Sequence, residues 1–433
     1  MDSLWLQTSA LPRFKALERD IDTDVLIIGG GLAGILCAYM LDKAGVSYAL
    51  VEAAEICGGI TKNTTAKITS QHGLIYHKLI RDFGPEKARM YLEINQAALE
   101  RYRQLCAGID CDFQEQDAFV YSMDDPYKLE RELKALETLG FPAALVTQLP
   151  LPITTAGAVR FEKQAQFHPL KFVSAIAPGL NIFENTKVLE LMPREAVTNR
   201  GRIRARKMIV ATHFPLLNKH GSYFLKLYQS RSYVLALQGT PELRGMYLDE
   251  AAKGLSFRGY GDLLLLGGGG HRTGKKGGGW QELAAFARSA YPGAREAYRW
   301  ATQDCMSLDG VPYIGRYSAA APELYVATGF NKWGMTTSMA AAMVLSDLVQ
   351  EKENPYAAVF SPSRSMLRPQ LALNTLEAAV SLLTPTAPRC PHMGCALKYN
   401  KQERSWDCPC HGSRFTEEGT LIDNPATDDK KMA

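Results

Sequence analysis

Apolar residues fill the short run Asp24-Val25-Leu26-Ile27-Ile28. The chain then turns to glycine at Gly29-Gly30-Gly31-Leu32-Ala33-Gly34 before the pattern ILCAYMLDKAG begins. The run predicts a buried strand and the following periodicity a helix, so this is strand, glycine turn, helix. A second apolar run, Ser47-Tyr48-Ala49-Leu50-Val51, predicts another strand and ends at Glu52. Further along, Lys207-Met208-Ile209-Val210-Ala211-Thr212 reads as a strand. Leu324-Tyr325-Val326-Ala327-Thr328 reads as one that passes through a glycine-bearing turn into the small-residue helix TTSMAAAMVLSDLV.

The first turn carries recognisable chemistry. Gly29 and Gly31 permit a tight turn and the close approach of backbone to a pyrophosphate, and Gly34 lets the helix pack on the strand. The helix N-terminus offers unpaired N–H groups to phosphate. Glu52 stands 23 residues after Gly29, where a carboxylate can accept both ribose hydroxyls of an adenosine. A glycine-rich turn with no ligand is the alternative. NAD and FAD share this opening, and two later segments favour FAD. One is Phe183–Leu191, ahead of the strand at 207–212. The other is Gly329–Thr336, whose helix N-terminus can face the pyrimidine end of a flavin and stabilise negative charge there on reduction.

Composition narrows the classes. At 433 residues, with 46% hydrophobic and 22% charged residues, the chain reads as an ordinary globular protein of two or three domains. Its net charge of +4, with no basic stripe, excludes a nucleic-acid partner. The N-terminus lacks the pattern of a secretory signal, and no apolar run reaches the ~18 residues of a membrane span. The expected location is therefore cytoplasmic. Cys37, Cys57, Cys106, Cys111 and Cys305 show no pairing pattern and read as reduced structural thiols, with Cys57 in a loop near the cofactor.

The remaining four cysteines are concentrated near the C-terminus, in Cys390-Pro391-His392-Met393-Gly394-Cys395 and Cys408-Pro409-Cys410-His411-Gly412-Ser413. The pairs C-x-H and C-x-x-H offer two thiolates and two imidazoles, a set that zinc accepts.

Two families are resembled. Over about residues 22–355 the chain resembles the FAD-dependent D-amino-acid oxidase, glycine oxidase and sarcosine oxidase superfamily. The matching features are the Gly29/Gly31/Gly34 turn with Glu52, the Cys57-Gly58-Gly59-Ile60-Thr61 loop, His168-Pro169-Leu170, Asp309-Gly310-Val311-Pro312-Tyr313-Ile314-Gly315, and Ala327–Phe330 with Trp333-Gly334-Met335. The resemblance implies an α/β fold with a Rossmann-like FAD-binding domain (about 20–80, 155–215 and 300–355) interleaved with an α+β substrate domain (about 81–154 and 216–299). Val188 would meet the adenine and Gly329 to Thr336 the isoalloxazine.

The C-terminal motifs CxHxGC and CxCHGS resemble those of the Rieske [2Fe–2S] proteins at all six positions. That resemblance implies Cys390 and Cys408 on one iron, His392 and His411 on the other, and a disulfide between Cys395 and Cys410. Mixed ligation places the potential within about −150 to +300 mV. Ser413 matches a hydroxyl donor toward the cluster. Phe415 stands where high-potential members often have Tyr, which implies a potential below the top of that range. Residues 361–383 read as a linker, leaving 384–433 as a small, truncated all-β Rieske domain. Such a fragment can hardly bury its own core and is expected to lean on the flavin domain or on a second subunit.

The combination resembles bacterial flavin oxidoreductases with a C-terminal Rieske domain. It implies an FAD-dependent dehydrogenase of an amine-like or amino-acid-like small molecule that passes electrons singly to a redox partner protein or other one-electron carrier. The alternative is a relay between protein partners with no organic substrate. Amino-acid-oxidising relatives commonly carry an Arg just before the DGxP motif for the substrate carboxylate. Here Asp304 falls at or beside that position, where an acid attracts a cation; a surface or helix-capping role is the other reading. Arg258 and His271 flank the strand 262–266 and are candidates for orienting a substrate, although a loop histidine is more often structural. His72 lies where some relatives carry covalent flavin.

Overall fold

The computed structural model describes residues 2–216, 220–385 and 388–430. Thr386 and Ala387, within the expected Rieske domain, and the last three residues lie outside them.

Three sheets organise the chain. The first has eight strands, in the order Tyr313–Ser318, Ala321–Thr328, Arg202–Val210, Ile21–Ile28, Tyr48–Val51 and Ile182–Phe183, with Val188–Met192 and Glu195–Thr198 joined to Arg202–Val210. Its centre is parallel, with Val25 to Ile28 matched to Lys207 to Val210 on one side and to Tyr48 to Val51 on the other. Parallel strands are covered on both faces, which is why Val25 to Ile28 and Tyr48 to Val51 are continuously apolar and fully buried rather than alternating. Helices Leu32–Lys43 and Gly334–Val349 pack on this sheet and on each other. The small side chains Ala340, Ala341 and Ala342 let the second of them approach closely, and all three are completely buried.

The second sheet has nine strands, in the order Arg295–Ser307, Leu227–Gln238, Leu263–Arg272, Ser256–Tyr260, Met246–Asp249, Gln114–Ser122, Gly157–Gln166 and Lys67–Ile68, with Ala144–Val146 paired to Gly157–Gln166. It takes in Gly157–Gln166, Lys67–Ile68 and, in Arg295–Ser307, residues 300–307, all of which the sequence places within the flavin unit. Their ladder partners are strands of the second sheet, so hydrogen bonding assigns them there.

The third sheet is a meander of four three-residue strands, Lys398–Asn400, Ser405–Asp407, Arg414–Thr416 and Leu421–Asp423. Its core holds Leu397, Phe415, Ala426 and the four C-terminal cysteines. The stretch expected as a linker is a helix over Pro369–Leu383, and Ala378 packs against that core.

The small unit does lean on the large one. Arg231, from the second sheet, forms an ion pair with Glu403, which also pairs with Arg414 at 2.8 Å and accepts from Tyr233 Oη at 2.9 Å. Burial alone would raise the Glu403 carboxyl, but Arg231 and Arg414 outweigh it and hold the group below its ordinary range. Backbones meet closely here: a Cβ on Gly412 (φ +89°) would lie 2.5 Å from Gln229, and one on Gly274 (φ +73°) would lie 2.7 Å from the Pro409 nitrogen. Among the described residues no helix is long and apolar enough to cross a membrane.

Candidate functional site

The glycine turn forms as the spacing predicts. Gly29 has φ +113°, and a Cβ there would lie 2.6 Å from the Ala211 carbonyl oxygen. A Cβ on Gly34 would lie 1.9 Å from the Gly29 oxygen, so this glycine seats the helix on the strand. Gly31 differs: its nearest neighbour would be Thr61 Oγ1 at 3.5 Å, and its open side faces a cavity of about 600 Å³. The space that Gly31 keeps free is thus space for a ligand. Glu52 reaches the same cavity from the end of its strand, with Oε2 accepting from Gly30 N at 2.7 Å and Oε1 from Ala54 N at 3.0 Å.

Gly58, Gly59 and Thr61 form the next part of the wall, where Thr61 Oγ1 accepts from Leu32 N at 3.1 Å. Val188 lines one end; Gly329, Trp333, Gly334 and Met335 line the other. Thr336 turns away, its hydroxyl donating to Thr69 O and accepting from Thr69 N, both at 2.9 Å. Cys57 also borders the cavity, and burial pushes its thiol up to about 12. This set fits FAD: a phosphate turn left open by Gly31, a carboxylate for the ribose, and a helix N-terminus at the far end.

The cavity continues to Asp304, near the end of the long strand Arg295–Ser307. Burial pushes the Asp304 carboxyl up to about 6, with Lys332 and Arg231 pulling it back. Lys67 lines the same space without a carboxylate partner among the described residues; burial, then the nearby Arg258 charge, lowers its ammonium to about 7. Nothing in the sequence around Lys67 marks it, because its position depends on the pairing of a two-residue strand.

Two expected substrate residues do not reach the cavity. Arg258 is completely buried and spends its guanidinium on Gln166 Oε1 (2.8 Å), Phe167 O (3.2 Å) and Thr65 O, so it braces the backbone. His271 lies behind Tyr233, with Nε2 3.0 Å from its hydroxyl and Nδ1 2.9 Å from Arg272 O. His72 stacks on Trp333 at 4.8 Å, and both its nitrogens are engaged, by Tyr91 Oη at 2.6 Å and Thr69 O at 2.8 Å. The DGxP aspartate is structural: Asp309 accepts from Arg364 Nε (2.7 Å) and Nη2 (2.9 Å) and from Val311 N (3.0 Å).

In the small unit the sulfurs of Cys395, Cys408 and Cys410 lie within 4.8 Å of one another, and the Cys390 thiol hydrogen-bonds Cys408. All four are free thiols here, so the Cys395–Cys410 pair is adjacent without being bonded. The imidazoles of His392 and His411 lie 4.9 Å apart at 87°. Both Nδ1 atoms are buried; that of His411 has no hydrogen-bond partner, while its Nε2 faces Phe224 O at 3.1 Å. Burial lowers both imidazoles to about 4, which keeps them in the neutral form that binds metal. Two soft donors, two neutral imidazoles and a buried orphan nitrogen fit an iron–sulfur cluster of mixed ligation.

The large unit holds this loop by its backbone. Arg272 donates to Pro409 O (2.9 Å) and Cys410 O (3.1 Å), Gln229 to His411 O (2.9 Å) and Gln303 to Gly412 O (2.8 Å), so four consecutive carbonyls are capped from outside. Motif spacing carries no sign of these three side chains.

Comparison with known proteins agrees with both cofactors. Residues 24–348 match the family model of FAD dependent oxidoreductases, and 382–432 match that of the Rieske [2Fe-2S] domain. The chain is 35% identical, over 98% of its length and 96% of the other's, to YhfW of Bacillus subtilis, described as a Rieske 2Fe-2S iron-sulfur protein. It is 22% identical to the gamma-glutamylputrescine oxidoreductase of Escherichia coli, over 78% of this chain and 86% of that one. Among solved structures, glycine oxidase from Geobacillus kaustophilus superposes with a TM-score of 0.66 at 20% identity, covering 80% of this chain and 99% of that one. L-proline dehydrogenase from P. horikoshii gives 0.65 at 16%, covering 81% and 98%. At these identities the structural likeness establishes the fold. The chain belongs to the FAD-dependent oxidoreductase family and carries a Rieske domain; it is an oxidoreductase whose large unit binds FAD and whose small unit binds a [2Fe–2S] cluster.

Proposed function

We propose that this member of the family oxidises an amine-bearing small molecule in the cavity and passes the electrons, one at a time, to an external one-electron acceptor. The observation that carries the reading is a pair of adjacent residues. His213 lines the cavity, and Phe214 lies edge-on to both His392 and His411 at 6.2 Å. Bound FAD supplies a two-electron acceptor and a bound cluster a one-electron carrier. In this reading Cys390 and Cys408 hold one iron, His392 and His411 the other, and Cys395 pairs with Cys410, as the proximity of the thiols supports.

Asp304 Oδ would hold the substrate ammonium, since Asp423, the other carboxylate lining the cavity besides Glu52, is engaged by Arg414 at 2.9 Å. Tyr233 and Trp333 line the same cavity. A relay without an organic substrate has no use for such a group. The E. coli relative, named for gamma-glutamylputrescine, supports a nitrogen-bearing substrate. A cytoplasmic setting belongs to the same reading.

Anaerobic mixing with cationic amines tests the proposal. A substrate should bleach the flavin and raise the low-average-g electron paramagnetic resonance signal of a reduced Cys/His-ligated cluster; bleaching without that signal defeats the electron route. Asp304→Asn should lower kcat/KM for a cationic amine roughly tenfold to a hundredfold, the ~1.5–3 kcal/mol of a hydrogen bond to a charged group. The carboxyl is ionised above about pH 6 and protonated below it, so kcat/KM in the parent should fall as pH drops through that value. The variant should lack this inflection; equal loss for neutral substrates would make Asp304 structural.

A further inference from the structure

The large unit does not enclose its cavity alone. Leu421, Ile422, Asp423, Asn424, Ala426 and Thr427, from the last strand of the small unit and the turn after it, line the same space as Gly29 and Glu52. Direct ties place this loop against the nucleotide half. Asn424 Nδ2 donates to Thr212 O at 2.6 Å and to Phe214 O at 3.2 Å, just past the strand Arg202–Val210. Lys187, the neighbour of Val188, donates to Thr427 O.

The opposite side of the loop touches the cluster positions. Ala426 N donates to Ser413 Oγ at 2.9 Å, and the Ser413 hydroxyl hydrogen-bonds the Cys390 sulfur. Gln229 Nε2 bridges Asn424 O and His411 O, both at 2.9 Å. Six residues thus line the cavity on one side, and through Ser413 and Gln229 their segment meets two of the expected ligand positions on the other.

We infer that residues 421–427 of the Rieske domain form part of the FAD-binding site and couple the two cofactors, so that each is held more tightly when the other is in place. Linkage requires the effect to be reciprocal in affinity. Its size is that of one or two hydrogen bonds of an ordered loop, about tenfold in dissociation constant. The inference rests on the two cofactor assignments and not on the substrate or the direction of electron flow, so it fails or survives separately from the proposed reaction.

The test uses the full chain, freed of FAD and prepared with or without cluster by growth in ample or limiting iron, and titrates FAD by fluorescence quenching. The cluster-free chain should bind FAD about tenfold more weakly while its circular dichroism is unchanged. Asn424→Ala, which leaves all four ligands intact and should keep the cluster's resonance signal, should weaken FAD by a similar factor. Ser413→Ala cuts the tie between Ala426 and Cys390, and should make FAD affinity less dependent on the cluster. Equal affinity in cluster-loaded and cluster-free chains, or an unchanged affinity in Asn424→Ala, overturns the inference.

Discussion

The glycine turn at 29–34 and the ligand loop at 408–413 both present backbone to a cofactor, but they are held in opposite ways. The turn is shaped largely by neighbours in sequence, for Gly34 is glycine because of the Gly29 oxygen and Gly31 is glycine because of the ligand. The loop has its carbonyls capped by Arg272, Gln229 and Gln303, which lie 109 to 182 residues away in the chain. A large parallel sheet can support a local motif unaided. Four strands of three residues cannot, and the small unit instead borrows its rigidity from the surface on which it docks.

The strongest way to break this contrast is Glu403→Ala. Arg231 and Arg414 would be left buried with one counter-charge fewer, and removing one partner of a buried ion pair costs about 3–5 kcal/mol. Iron content should collapse while purified protein still takes up FAD, more weakly. Full iron loading in this variant would mean that docking does not support the cluster. Gly31→Val should act in reverse. No protein atom lies nearer than 3.5 Å to the added Cβ, so FAD retention should be lost while the melting temperature matches that of the parent stripped of FAD.

Acid sharpens the comparison. The folded-state pKa of Glu403 is depressed, so its stabilisation is present above its ordinary carboxylate pKa and is lost as pH falls through the folded value. Cluster release should therefore steepen below the ordinary carboxylate range, whereas among the described residues no ion pair holds the glycine turn; a flat release profile into that range would contradict the ion-pair account. The smallest change is Tyr233→Phe, which removes the hydroxyl that donates to Glu403 at 2.9 Å. About 1 kcal/mol should make iron loss to a chelator roughly fivefold faster.

The sequence by itself determined the turn, Glu52, the segment from Gly329 to Met335 and the Cys/His set. These depend on backbone conformations and ligand chemistries that fixed spacing encodes. Asp304 was half legible: its residue type and offset from the DGxP motif were visible, but whether it faced cavity or solvent was decided by the pairing of its strand with Leu227–Gln238. Arg258 and His271 looked equally suitable and were turned inward, since the direction of a side chain on a strand follows from which face the sheet buries. Lys67, the helix within the expected linker and the loop at 421–427 owe their places to partners far away in the chain. Only tertiary structure decides such contacts, because local pattern records what a segment can form and not which distant surface it will meet.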